Sequence, residues 1–145
     1  MDSELLKTTI RENANELVRL HALIHATHRN RGEGAQQRAQ WQAACDEFHA
    51  RYSGLAFPEG YEGALDRISS GEPLAMEAGL CFLECRPYFF RSGYMYKDIL
   101  RRLKRAPLSE LQTSRLRLIQ ERLKEWKASR DGSNVPKLEQ GNREG

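Results

Sequence analysis

The chain has 145 residues, a formal net charge of +3, 39% hydrophobic residues and 30% charged ones. That length buries a core without help from disulfides or metal, and no apolar run approaches the roughly eighteen residues that a transmembrane helix needs. Three cysteines without framework spacing, and acidic residues where a signal peptide would carry basic ones, predict a reducing, cytoplasmic setting.

Residues 3 to 29 read as an amphipathic helix. Leu6, Ile10, Leu17, Leu20 and Ile24 share a narrow arc, and Ser3 is the expected N-cap. The NRGEG segment, residues 30–34, is a break. Residues 35–52 carry Trp41, Cys45, Phe48 and Tyr52 on one stripe, and the short link predicts an antiparallel hairpin with the first helix. A short helix follows over residues 61–69, burying Tyr61, Leu65 and Ile68, with Gly71 as a left-handed cap. Pro73 opens the next helix, where its missing N–H costs nothing. That helix has two apolar stripes, Leu74–Ala78–Cys81–Cys85 and Met76–Leu80–Leu83, the pattern of a central element covered by its neighbours.

Arg86–Pro87 stops it, since the residue before proline avoids the helical region. Residues 88–92 read as one turn closed by Gly93, with the run Tyr88, Phe89, Phe90 assigned to the core. Residues 94–105 read as a basic helix with Ile99, Leu100 and Leu103 inward. Ala106–Pro107 breaks the chain, and Ser109 with Gln112 has capping-box spacing at the start of a last helix reaching residue 129. Leu116, Ile119, Leu123 and Trp126 form its inward stripe. No strand period appears. The expected fold is all-α, a single bundle of about five to seven helices over residues 1–129, with a flexible polar tail over 130–145.

Charge is uneven along the chain. Residues 1–85 hold 8 Lys/Arg and 13 Asp/Glu, a balance of −5, and residues 86–130 hold 13 Lys/Arg and 4 Asp/Glu, a balance of +9. Such asymmetry marks a surface for an acidic partner, or two regions of one chain that attract each other.

Candidate chemistry is sparse. His21, His25 and His28 lie near one side of the first helix, and the pairs Cys45/His49 and Cys81/Cys85 are four residues apart. Those spacings put two side chains on one helix face, as a metal site needs. However, the cysteines sit on apolar stripes, where free cysteine behaves as a small hydrophobe. There is no CxxC, no HExxH, no phosphate loop and no nucleophile elbow, so neither a cofactor nor a metal is expected and no catalytic residue is assigned. Glu84, beside the aromatic run, reads as an ion-pair partner for Arg86 or Arg91. The basic segment remains: Lys97, Arg101, Lys104 and Arg105 on one helical face, with Arg102 adjoining and Arg91, Tyr94 and Tyr96 nearby. Cations of this kind dock acidic protein surfaces or phosphates, and exposed tyrosines anchor either.

The residues Phe82-Leu83-Glu84, Pro87-Tyr88-Phe89-Phe90-Arg91-Ser92-Gly93-Tyr94, Lys97 and Leu100-Arg101-Arg102-Leu103-Lys104-Arg105 resemble the core signature of a family of small all-helical bacterial proteins, most of them without an assigned activity. The resemblance covers about residues 70–110. Arg86 stands where the signature has an acidic residue, and Tyr88 where it has tryptophan. Physically the signature reads as a rigid corner, with Arg91 bonding carbonyl oxygens and Gly93 supplying a positive φ. By class, small helical bacterial proteins without catalytic motifs imply a protein-binding role, as an immunity or antitoxin-type inhibitor or an accessory subunit of a toxin or defence system. The partner-binding residues expected are Arg91, Tyr94, Tyr96, Lys97, Arg101, Arg102, Lys104 and Arg105. The alternatives are a nucleic-acid-binding protein using the same face, or an acidic N-terminal surface that blocks a cationic site on a toxin.

Overall fold

The computed structural model describes residues 2–139, without the side chains of 131–139. Six helices run in order: α1 (Ser3–His28), α2 (Ala35–Ala56), α3 (Ala64–Ser69), α4 (Pro73–Cys85), α5 (Ser92–Leu103) and α6 (Glu110–Glu139). No strand occurs among the described residues. The chain divides into two units, Met1–Leu108 and Ser109–Gly145.

In the first unit α1 and α2 form the hairpin, α1 also packs on α4, and α3, α4 and α5 pack on one another. The α1 stripe buries Ile10, Ala14, Leu17 and Leu20. Its N-cap is Asp2 rather than Ser3: Asp2 Oδ1 accepts from the Glu4 amide at 3.0 Å. Ser3 sits one position inside, and its hydroxyl donates to the buried Glu77 carboxylate of α4. Lys7 meets Glu84 at 3.3 Å, so the start of α1 is tied to α4 at two points by polar contacts.

The two stripes of α4 have the expected consequence: every residue from Ala75 to Leu83 is buried. Gly79 is the closest approach. A methyl group there would lie 3.2 Å from Leu103, 3.4 Å from Ile68 and 3.4 Å from Ile99, on α5 and α3. The short helix α3 starts at Ala64, leaving Tyr61 in the preceding turn. It ends in a Schellman motif: the Gly71 amide bonds the Ile68 carbonyl at 3.0 Å and the Glu72 amide bonds the Arg67 carbonyl at 3.0 Å. Gly71 has φ +87°, the left-handed conformation expected of it, and a side chain there would also strike Pro107.

The second unit begins with a capping box. The Ser109 amide donates to Gln112 Oε1 at 3.0 Å, and the Gln112 amide donates to Ser109 Oγ at 3.1 Å. Trp126, expected on the inward stripe, is 44% exposed, with the Arg130 guanidinium 4.6 Å from its ring. Apart from Arg130 and the helical backbone of 131–139, the polar tail expected over 130–145 lies outside the described residues.

Candidate functional site

The site is the corner between α4 and α5. At the end of α4 the chain turns at Arg86, φ +48°, whose amide bonds the Phe82 carbonyl at 2.8 Å. Pro87 bars continuation of the helix. A tight turn follows: the Ser92 amide donates to the Phe89 carbonyl at 2.9 Å, and the Phe89 amide donates to Ser92 Oγ at 3.0 Å. The positive φ that closes this turn belongs to Arg91, at +69°, and not to Gly93, which lies inside α5. A left-handed non-glycine residue costs of order 1–2 kcal/mol, and the surrounding contacts hold it in place.

Those contacts come from α1 and α2. The Tyr52 hydroxyl donates to the Phe90 carbonyl at 2.7 Å. The His21 ring stacks on Phe90 at 4.9 Å and on Phe48 at 5.4 Å, with His25 edge-on at 4.8 Å. Burial, with help from His25, lowers the His21 pKa below the usual imidazole value. Burial raises the Tyr52 pKa, partly countered by Arg91, so its phenol stays a donor. Phe89 alone of the aromatic run enters the core, against Phe82 and Tyr52.

Tyr88 and Phe90, assigned to the core, face out, and so does Tyr94, for which exposure is the expectation. Tyr88 is 86% exposed, Tyr94 67% and Phe90 45%. Arg91 joins two of them: its guanidinium lies 5.5 Å from the Phe90 ring centre and 5.5 Å from that of Tyr94. It makes no side-chain hydrogen bond or ion pair among the described residues, so the expected bonding to carbonyl oxygens is replaced by cation–π contacts.

Along α5, at about 100° per residue, Tyr94, Lys97, Arg101 and Lys104 share one face. Lys97, Lys104 and Arg105 are exposed and have no ion pair among the described residues. Arg101 is exposed but bonded to Asp98 at 3.0 Å. Arg102 is directed at α3, where it reaches Ser69 Oγ at 3.0 Å and Asp66 at 3.4 Å. Tyr96 lies on the far side of α5, half-buried under the Arg86 guanidinium at 5.2 Å, and burial raises its pKa. Of the eight residues expected to bind a partner, the structure brings Arg91, Tyr94, Lys97, Arg101, Lys104 and Arg105 to one surface and directs Arg102 and Tyr96 elsewhere. Phe90, read as core, joins that surface through its contact with Arg91, and Tyr88, also read as core, is exposed two residues before it. Their position after a proline and ahead of a left-handed residue is the available signal.

Among the described residues no group of three or more His, Cys, Asp or Glu side chains converges as a metal would require. Cys81 is buried with its thiol 3.7 Å from Glu77, and burial pushes the Cys85 thiol pKa up, away from the reactive thiolate. No protein-family model matches the chain, and no curated protein or solved structure matches it either.

Proposed function

We propose that the protein is a non-catalytic binding protein that docks an acidic protein surface through the α4–α5 corner and the basic face of α5. The observation that carries this reading is the pair of exposed rings, Phe90 and Tyr94, against Arg91, at the head of a face where Lys97, Lys104 and Arg105 are unpaired among the described residues. Tyrosine and arginine dominate interface hot spots because they bring large contact area and directed charge at low entropic cost. Within this class the reading is an inhibitor of the immunity or antitoxin type, or an accessory subunit of a bacterial toxin or defence system. It acts by covering a partner's surface, in the cytoplasm.

The test is a pull-down from the native host with and without nuclease, using the wild type, Tyr94→Ala and Lys97→Glu/Lys104→Glu. The expected result is one stoichiometric protein that survives nuclease and is lost with either variant. Truncating a hot spot costs about 2 kcal/mol or more, some thirtyfold in affinity. A second reading, nucleic-acid binding, is favoured by the same unpaired cations with Tyr94 beside them. It predicts bound material that disappears with nuclease and affinity that falls steeply with salt.

A further inference from the structure

The arginine corner itself has a chemistry more specific than positive charge. Arg91 sits over two rings, and its left-handed backbone is held by the Ser92–Phe89 turn. A guanidinium held against rings by cation–π contact is partly desolvated and oriented, and keeps its N–H edges for a planar acceptor. Phe90 is fixed from behind by the Tyr52 hydroxyl and by His21, and still exposes 45% of its surface. Tyr88 exposes 86%, close to it in sequence. Arg91 therefore stands against two exposed rings. Arg86, the next cation in the corner, is engaged with Tyr96.

We infer that this corner is a recognition site for a carboxylate carried beside an apolar group. Arg91 takes the carboxylate by two N–H groups, and Phe90 and Tyr94 take the apolar neighbour. The occupant is a peptide segment of the partner with an acidic residue next to an aromatic or aliphatic one. A planar guanidinium held against rings matches one carboxylate with apolar area beside it, whereas a row of phosphates would suit the row of cations farther along α5. This inference rests on the docking reading above.

The experiment is a titration of the full chain with phenylacetate, acetate and AMP, followed by NMR of the arginine Nε–H groups. Phenylacetate is expected to shift the Arg91 signal saturably, with a dissociation constant on the order of millimolar for so small a ligand. Acetate is expected to bind at least about threefold more weakly, since it lacks the ring. Arg91→Lys retains the charge and the same backbone demand but loses the planar fork, and is expected to weaken phenylacetate by a similar factor, read from the Phe90 and Tyr94 ring signals. Arg38→Ala, which removes an exposed cation at the start of α2, is expected to leave binding unchanged. Equal binding of acetate and phenylacetate, no effect of Arg91→Lys, tighter binding of AMP, or no shift at all would each overturn the inference. The two proposals fail separately. A partner captured through Lys97 and Lys104 without phenylacetate binding keeps the docking reading and removes the carboxylate site, whereas phenylacetate binding with an empty pull-down does the reverse.

Discussion

The same substitution, glycine to alanine, is expected to have opposite signs at two helical positions. Gly54 in α2 is exposed, and a methyl group added there meets nothing within 4 Å. There alanine only narrows the unfolded ensemble and favours the helix, a gain of about 0.4–1 kcal/mol. Gly79 in α4 receives the same gain, but its new methyl meets Leu103 at 3.2 Å and Ile68 and Ile99 at 3.4 Å. All three neighbours are 0% exposed, so none can swing out to solvent. Overpacking of this kind costs about 1–3 kcal/mol, which outweighs the gain and leaves Gly79→Ala less stable by about 1 kcal/mol. Chemical denaturation of the two variants against wild type measures both signs. Thermal midpoints are expected to move by about 2–4 °C, up for Gly54→Ala and down for Gly79→Ala. Stabilisation by Gly79→Ala would refute the claim that α3, α4 and α5 are packed to contact at this point.

Tyr52→Phe removes the hydrogen bond to the Phe90 carbonyl; a loss of about 1 kcal/mol at the corner is expected, seen as roughly fivefold faster exchange of the Phe89 and Ser92 amides, and unchanged exchange would show that Tyr52 does not hold the turn. Ser109→Ala opens the capping box and is expected to cost α6 about 1 kcal/mol, with faster exchange at Gln112 and none of the effect on amides of α1 to α5. His21 has a folded-state pKa below its ordinary value of 6.5, so its unfolded form binds the proton more readily; the stability it contributes is complete above that value and is lost as pH falls through the lowered folded pKa. Urea midpoints at about pH 7.5 and 5.5 should therefore fall less in His21→Phe than in wild type, and equal falls would remove His21 from the account.

Helix order and the central place of α4 are legible in the sequence because they depend on periodicity and on proline and glycine. Pro73, Gly71 and the Ser109–Gln112 box work locally, and each occurs where its chemistry places it. The corner is harder to read because its geometry is set by distant residues. Gly93 is the cheaper residue for a positive φ, yet Arg91 takes it, since Tyr52 and His21, far away in sequence, hold Phe90. Tyr88 and Phe90 look like core by hydropathy, but so short a turn directs only one side chain of the run, that of Phe89, inward. Lys7 of α1 also meets Glu84, a contact that adjacency along the chain does not point to. Ion pairs of that span have no local signal.

The burial of α4 from Ala75 to Leu83 bears on how the chain is made. The α1–α2 hairpin is synthesised before the helix that packs on α1. Until α4 emerges, Ile10, Leu17 and Leu20 have only part of their final surroundings, and Lys7 waits for Glu84. A chain ending between residues 57 and 72 would present a hairpin with an uncovered apolar face, a substrate for chaperones and proteases. A pause after α5, by contrast, leaves all the partners of α4 within the first unit in place.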